Sequence, residues 1–168
     1  MLNWTRRLVA SALLAALCVT PGWSAEADAS LVVYLVRHAE KAGEKGDVPL
    51  AEAGTERALN LAKMLADVPV AGVHSTDTLR TRSTGQPTAA AHDSQVQLYD
   101  PRAPDELVAQ LKKSGGHHLV VGHSNTVGGL VEALGGQPGV TIRDDEYDRL
   151  YIVVVNGDAP VSTSLLRY

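Results

Sequence analysis

The eight residues from Leu31 to His38 read Leu-Val-Val-Tyr-Leu-Val-Arg-His, and they pass from six apolar side chains to two basic ones without a turn residue between them. An unbroken apolar run rich in β-branched residues is typical of a strand that is covered on both faces, as in a parallel sheet. The two basic residues then lie at the carboxyl end of that strand, where open α/β sheets form their functional crevices. This stretch therefore predicts both a sheet and the place of a site.

Strand and helix patterns alternate along the rest of the chain. Short apolar runs over 70–74, 96–99 and 118–122 predict three more strands, and the runs over 150–155 and 162–167 predict an antiparallel hairpin. Helices are predicted around 58–65, from about residue 77, from Pro104 and over 127–134, with Pro87 expected to kink or restart the second. The sum predicts an α/β fold, a three-layer α/β/α sandwich around a mostly parallel sheet.

The first 27 residues have the layout of a secretory signal peptide. Arg6 and Arg7 precede an apolar run over 8–19, and Ala25-Glu26-Ala27 offers cleavage after either alanine, an uncleaved anchor being the alternative. The run is shorter than the roughly 20 residues that a spanning helix needs, and no second hydrophobic stretch follows it. We therefore expect an exported protein, periplasmic or secreted, with no stable membrane span after cleavage and one domain over residues 28–168.

Composition narrows the chemistry of that domain. The chain has 168 residues, a formal net charge of −4 and no long basic run, which argues against nucleic-acid binding. The one cysteine, Cys18, precedes residue 28, so the predicted domain can form neither a disulfide nor a thiolate zinc site. Phe is absent, and Trp4 and Trp23 also precede residue 28, so few rings remain to line a pocket. Tyr99 is the ring expected near the site.

Three predicted strands lead into basic or imidazole side chains. The first ends at Arg37-His38, the second leads through His74-Ser75 to Arg80 on the following helix, and the third ends at Gly122-His123-Ser124. If these groups meet at one edge of the sheet, they form a cationic pocket in an acidic protein. A planar guanidinium suits a tetrahedral oxyanion such as phosphate, and backbone N–H groups at the start of the helix after Ser124 add to that preference.

Together these residues resemble the histidine phosphatase superfamily, the phosphoglycerate-mutase-like proteins. The resemblance extends from Leu31 to Tyr168 and has three parts in order. They are the Arg-His after the first strand, within Val36-Arg37-His38-Ala39-Glu40; a block of Ser, Leu, Arg and Thr residues over 75–84; and a Gly-His turn at Gly122-His123. Ala39 stands where the family usually has Gly, which is similar to its Arg-His-Ala branch.

The resemblance implies roles for individual residues. His38 is implied to accept the phosphoryl group, while Arg37, Arg80 and His123 bind its oxygens and Ser124 lies in the same phosphate pocket. A neutral imidazole can attack phosphorus near pH 7 without a strong base. Fixed Arg and His donors can stabilise the charge on the transferred group, so no metal and no cofactor is expected.

The leaving alkoxide also needs a proton, which an acidic residue supplies in this family. Two carboxylates are candidates for this general acid. Asp100 follows the short strand predicted over 96–99, and Glu40 lies two residues after His38. Asp100 is favoured, although either group could instead be a solvated loop charge.

The function expected from the sequence is a metal-independent phosphomonoesterase acting through a phosphohistidine. Its partner is a small phosphorylated substrate, such as a sugar phosphate or a lipopolysaccharide sugar phosphate of the cell envelope. The alternatives are a phosphoprotein phosphatase and a non-catalytic phosphate-binding module of the same fold.

Two other enzyme classes are disfavoured by the sequence. Gly122-His123-Ser124 resembles a serine hydrolase elbow, but no His follows Ser124, which is better explained as a helix N-cap. His38-Ala39-Glu40 matches half of a zinc deaminase motif whose P-C-x-x-C half is missing.

Overall fold

Six strands and four helices alternate along residues 30–168, which are the residues that the computed structural model describes. In chain order they are β1 (Leu31–Arg37), α1 (Glu52–Met64), β2 (Val70–Ser75), α2 (Leu79–Ala91), β3 (Val96–Leu98), α3 (Pro104–Ser114), β4 (Gly116–Gly122), α4 (Val127–Ala133), β5 (Arg149–Val155) and β6 (Ser162–Arg167). The predicted signal peptide and its cleavage sites lie outside the described residues. Among the four helices described, none is long and apolar enough to cross a membrane.

The strands form one sheet in the order β3-β2-β4-β1-β5-β6. β1, β2, β3 and β4 pair in parallel, and β5 and β6 complete the sheet as an antiparallel hairpin at one side. The predicted α/β fold with a mostly parallel sheet is therefore confirmed, as is the hairpin at the end of the chain.

Alternate residues of β1 contribute to two different cores. Val33 and Leu35 pack with apolar residues of α3 and α4, whereas Tyr34 and Val36 pack with residues of α1 and α2. Successive side chains of a strand point to opposite faces, so a strand with a helix layer on each side needs apolar residues at every position. This explains the unbroken run that begins at Leu31, and it gives the three predicted layers.

Of the two outcomes predicted at Pro87, a kink or a restart, the restart does not occur, because α2 continues through this residue to Ala91. A proline inside a helix removes one backbone hydrogen bond and crowds the preceding turn. Thr84, Thr88 and Ala89 are buried on both sides of Pro87. Tertiary packing of this face outweighs the local preference of proline.

The topology brings the carboxyl ends of β1, β2 and β4 together. Arg37 at the end of β1 is in register with Gly122 at the end of β4, and the His38 N–H donates to the Gly122 carbonyl at 2.9 Å. On the other side of β4, the Thr76 N–H donates to the Val121 carbonyl at 3.4 Å. The segments that follow these three strands are thus held side by side.

Candidate active site

An open cavity of about 400 Å³ lies at the carboxyl ends of β1 and β4 and the start of α2. Its polar walls include every residue of the predicted phosphate pocket, namely Arg37, His38, Arg80, His123 and Ser124. Four further residues complete the lining: Lys41, Glu44, Gly46 and Asn125. The structure therefore brings the five predicted residues together, although Arg37 and Ser124 are 87 positions apart in the sequence.

His38 is almost fully buried, and its ring has a defined tautomer. Nδ1 lies 2.8 Å from the Ala39 carbonyl oxygen, which can only accept, so the proton of the neutral ring is on Nδ1. Burial, opposed by that hydrogen bond and reinforced by the charges of Arg37 and Arg80, lowers the pKa of His38 to about 4. At pH 7 the ring is neutral, with an unprotonated Nε2 available as a nucleophile.

Arg37 is held through one end of its guanidinium. Nη1 donates to three backbone carbonyls, those of Arg143 at 2.8 Å, Asp144 at 2.9 Å and Glu146 at 3.1 Å. The Tyr147 ring packs against the same group, with its centroid 4.2 Å from Cζ. Nε is buried and has no partner among the described residues. The Nε/Nη2 edge is the one that can bind two oxygens of a tetrahedral anion side by side.

Arg80 reaches the cavity from the first turn of α2. Its Nη1 lies 3.8 Å from Oδ1 of Asp47, and the same oxygen accepts from the Leu79 N–H at 2.7 Å. Asp47 therefore ties the loop after β1 to the start of α2. The Arg80 side chain keeps about 20% of its surface exposed, so its charge remains available to a ligand in the cavity.

His123 faces His38 across the cavity, with the ring centroids 5.4 Å apart and the planes at 68°. Its Nε2 is hydrogen-bonded to Oγ1 of Thr76 at 2.9 Å, which joins the ends of β2 and β4. Burial, with smaller contributions from Arg80 and Arg37, lowers the pKa of His123 to about 4. Both imidazoles are therefore neutral at pH 7 before an anion enters the cavity.

The helix cap predicted at Ser124 lies two residues later in the structure. Thr126 is the N-cap of α4, and its Oγ1 accepts from the His123 N–H at 2.9 Å. Because His123 is tied back to Thr126, the turn folds before the helix begins, and Ser124 is left on the cavity wall.

Glu40 does not line the cavity of His38. Arg57 on α1 binds its carboxylate with Nε at 3.0 Å from both oxygens and Nη2 at 2.7 Å from Oε1. Burial, the largest single effect, opposes the ionised form of Glu40. The hydrogen bonds from Arg57, a backbone hydrogen bond and the charges of Arg57 and Arg37 together outweigh burial and lower the pKa of this carboxyl. A carboxylate held in this way is a poor proton donor at neutral pH.

Asp100 also lies outside that cavity. It borders a neighbouring depression with Thr76, Tyr99 and the other side of His123. Arg102 binds its carboxylate at 2.8–3.2 Å, and these side-chain hydrogen bonds lower the pKa of Asp100 to about 2. Neither carboxylate predicted from the sequence is thus placed beside Nε2 of His38 as a protonated acid.

The comparison with protein families covers the first two parts of the sequence signature, the Arg-His after β1 and the block over 75–84. The model of the histidine phosphatase superfamily (branch 1) matches residues 33–102, a range that includes Arg37, His38 and Arg80. The resemblance to histidine phosphatases is confirmed. No curated protein sequence matches the chain.

Solved phosphatase structures share the fold over most of their length. The protein histidine phosphatase SixA, complexed with tungstate, superposes with a TM-score of 0.66 at 19% identity, covering 82% of this chain and 97% of its own. A mycobacterial glucosyl-3-phosphoglycerate phosphatase gives 0.65 at 13% identity, covering 83% and 98%. A phosphoserine phosphatase of Entamoeba histolytica with 3-phosphoglyceric acid gives 0.63 at 13% identity, covering 82% and 97%. At these identities the likeness concerns the fold.

Three residues around the cavity were not singled out from the sequence. Thr84 on α2 accepts a hydrogen bond from the Ala39 N–H at 3.0 Å and so holds the residue that follows His38. Thr76 contacts His123, as described above. Tyr147 is the ring beside the site, 6.0 Å from the His38 ring, whereas the expected ring, Tyr99, lies in the neighbouring depression with Asp100. The threonines belong to the 75–84 block and could have been found there, but no local pattern marks Tyr147.

No group of three or more His, Cys, Asp or Glu side chains within residues 30–168 is arranged to hold a metal ion. The cationic groups of the cavity are Arg37, Arg80 and Lys41, with Glu44 paired to Lys41 at 2.9 Å on the rim. This set of donors suits a phosphate-sized oxyanion.

Proposed function

We propose that this protein is a metal-independent phosphatase that works through a phosphohistidine at His38. One observation supports the proposal most directly: Nδ1 of His38 donates to the Ala39 carbonyl in a cavity that also holds Arg37, Arg80 and His123. The free Nε2 is then the only ring atom that can attack, and the surrounding donors match the oxygens of a phosphoryl group. Tungstate in the SixA structure is an oxyanion of the same shape.

The reaction consists of two displacements. In the first, the Nε2 lone pair of His38 attacks phosphorus, the bond from phosphorus to the leaving group breaks, and the leaving group takes up a proton from solvent. In the second, water attacks the phosphohistidine and releases one proton to solvent, the P–Nε2 bond breaks with its electron pair returning to Nε2, and inorganic phosphate leaves. Arg37, Arg80 and His123 bind the equatorial oxygens, on which charge is spread in both transition states.

The placement of the carboxylates favours leaving groups that need little help from an acid. Glu40 and Asp100 are held by Arg57 and Arg102, and Glu44 on the rim is exposed and paired to Lys41. The imidazole of a phosphohistidine and the phenolate of an aryl phosphate are better leaving groups than the alkoxide of a sugar phosphate. We therefore rank protein phosphohistidine ahead of the sugar phosphates expected from the sequence as the substrate. SixA is named as a protein histidine phosphatase.

The test uses the purified full-length protein with a metal chelator present. We expect turnover of 4-nitrophenyl phosphate and of N-phosphoimidazole, with kcat/KM for a sugar phosphate at least tenfold lower. The His38→Gln variant should lose turnover by a factor of 10³ or more, on the order expected for a lost nucleophile. The wild type should form a phosphoenzyme that is labile to acid and stable to alkali.

The matched control is His92→Gln, which replaces a histidine that is bonded to the Leu65 carbonyl, away from the cavity. It should keep full activity. Loss of activity with chelator, or turnover in His38→Gln, would contradict the mechanism. Binding of phosphate without any turnover would instead support the non-catalytic module. A larger loss in Asp100→Asn or Glu40→Gln on the sugar phosphate than on N-phosphoimidazole would restore an acid role to that residue.

We also propose that the protein acts outside the cytoplasm. The support is the sequence of residues 1–27, with Arg6 and Arg7, the apolar run and the Ala-x-Ala site. N-terminal sequencing of the protein recovered from the periplasmic fraction should find a start at Glu26 or Asp28.

A further inference from the structure

A second, narrower groove continues from the cavity along α4. The two depressions share Ser124 and Asn125, and the groove has a volume of about 220 Å³. The proposed chemistry at His38 uses none of the groove beyond Ser124. The groove therefore begins where the part of a substrate beyond its phosphoryl group would leave the cavity.

One wall of the groove is a helical face without bulky side chains. Asn125, Gly128, Gly129 and Glu132 are spaced at i, i+3, i+4 and i+7, so they share one face. The backbone is helical from the turn before α4, since the Val127 N–H already donates to the His123 carbonyl at 3.0 Å. A Cβ added at Gly129 would meet no atom within 4 Å. A polypeptide main chain can therefore approach this face closely at Gly129. At Gly128 the opposite wall is nearer, because an added Cβ would lie 3.7 Å from the Pro138 side chain.

The opposite wall, residues 138–142, is held from behind. Buried Arg149 donates to the Val140 carbonyl at 2.6 Å, and the Tyr151 hydroxyl donates to the Pro138 carbonyl at 3.0 Å. These bonds keep the segment in place and leave the Val140 side chain, which is 77% exposed, at the rim. The wall thus offers a fixed apolar contact rather than free hydrogen-bonding carbonyls.

Among the residues that line the groove, Glu132 is the one that carries a charge at neutral pH. Glu132 is exposed and forms no ion pair with any residue in the range 30–168. At 1.5 Å per residue it lies about 10 Å along the helix from Asn125 at the cavity. The cationic cavity and the anionic groove end therefore match a substrate with a phosphoryl group and a positive charge roughly 10 Å apart.

We propose that this groove binds a polypeptide segment that carries the phosphoryl group and has a Lys or Arg within about three residues of it. Three residues of extended chain span about 10 Å, which is the separation between the cavity and Glu132. The inference rests on the proposed phosphatase function and adds a substrate class to it. Glu132 and Gly129 are specificity determinants that do not touch the reacting atoms.

The test compares two phosphohistidine peptides of equal length, one with Lys and one with Glu three residues on each side of the phosphohistidine. N-phosphoimidazole serves as a small substrate that has the same leaving group and cannot reach the groove. At low ionic strength we expect kcat/KM of the wild type to be roughly three- to tenfold higher for the Lys peptide than for the Glu peptide. The Lys side chain would form an exposed ion pair with Glu132, whereas the Glu side chain would be repelled by it. The preference should weaken as salt is raised.

Three variants separate the groove from the cavity. Glu132→Lys should invert the peptide preference, and Gly129→Leu, which fills the groove, should lower kcat/KM for both peptides. Glu106→Lys on α3 is the matched control, since its exposed carboxylate lies outside both depressions. All three should hydrolyse N-phosphoimidazole as the wild type does.

The two proposals fail in different ways. If N-phosphoimidazole is turned over but the peptides show no charge preference in the wild type, or the same preference in Glu132→Lys, the groove inference is wrong and the phosphatase proposal stands. If N-phosphoimidazole itself is not hydrolysed, the proposed function is wrong. If a small phosphorylated amine is hydrolysed faster than either peptide, the groove binds small phosphorylated amines, and the inference of a polypeptide substrate is wrong.

Discussion

At the scale of single residues, the contacts of Arg37 divide its guanidinium into two parts. Nη1 has two protons and three carbonyl acceptors, so it is fully used by the protein. The Tyr147 ring packs against the guanidinium and lies 6.0 Å from the His38 ring. Glu146, between these contacts, is itself bound by Arg149 at 2.7 Å and Arg167 at 2.6 Å. The segment 143–147 thus fixes the direction in which Arg37 presents its remaining N–H groups.

We predict from this arrangement that Tyr147 is a positioning residue. Tyr147→Leu should weaken inhibition by inorganic phosphate and lower kcat/KM for 4-nitrophenyl phosphate by about tenfold, which corresponds to ~1.4 kcal/mol, within the range of a desolvated cation–π contact. Tyr147→Phe keeps the ring and should restore both values. Tyr34→Phe, which affects a hydroxyl bonded to His117, is the control. A Leu variant that loses activity only in proportion to its urea midpoint would show a merely structural role.

The residues of the site could be predicted where the sheet itself places them. Arg37, His38 and His123 directly follow strands that the apolar runs identify, so parallel pairing was enough to bring them together. Tyr147 could not be found in this way, because it lies in an irregular segment 110 positions after Arg37 and is brought there by β5. The pairing of Glu40 with Arg57 was equally hidden, since it depends on how α1 packs against the loop after His38.

At the scale of elements, α1 is pressed against the backbone that follows His38. A Cβ built at Gly54 would lie 2.2 Å from the Glu40 carbonyl oxygen and 2.9 Å from its nitrogen. The absence of a side chain at Gly54 therefore sets how closely α1 approaches the site. The apolar spacing of residues 58–65 predicted the helix but not this contact. A single glycine near the start of a helix forms no periodic pattern from which a close contact could be predicted.

Gly54→Ala should displace the loop or the helix, even though alanine is the better helix former. We expect a loss of about 1–3 kcal/mol in the free energy of unfolding, as for overpacking, together with reduced turnover of 4-nitrophenyl phosphate. Gly129→Ala on α4 is the matched change, because its added Cβ meets nothing within 4 Å. It should raise the free energy of unfolding by about 0.5–1 kcal/mol and leave turnover unchanged. Urea denaturation of both variants checks this, and equal effects would contradict the packing argument.

At the scale of the whole molecule, two histidines remain inside the fold away from the cavity. His118 Nε2 lies 2.8 Å from the Gly115 carbonyl, so it carries a proton, and His118 Nδ1 accepts from His74 Nε2 at 3.1 Å. Both side chains are buried, and Gly72 leaves the space that they occupy. No periodicity in the sequence reveals that two neighbouring strands place these rings against each other. His74 gives the fold a dependence on pH that does not involve the cavity.

Acid should destabilise the protein before its carboxylates titrate. Burial, with a smaller contribution from His118, lowers the pKa of His74 to about 4, and His38 and His123 are lowered to the same level. The unfolded chain takes up these protons near pH 6.5 and the folded protein does not, so stability is complete above pH 6.5 and is lost as the pH falls through 4. Glu40 and Glu146 have pKa values below their ordinary ones and therefore contribute at lower pH.

We predict that the urea midpoint is constant above pH 7 and falls between pH 6.5 and 5. In His74→Gln the slope of the unfolding free energy against pH over this window should decrease by up to ~1.4 kcal/mol per pH unit. This decrease corresponds to one proton fewer taken up on unfolding, because one buried neutral histidine is gone. The comparison uses slopes, since the variant also changes the donor to His118 and so its stability at pH 7. His92→Gln, which replaces a half-buried histidine on another element, should keep the wild-type slope. If His74→Gln keeps that slope as well, His74 is not a source of the pH dependence.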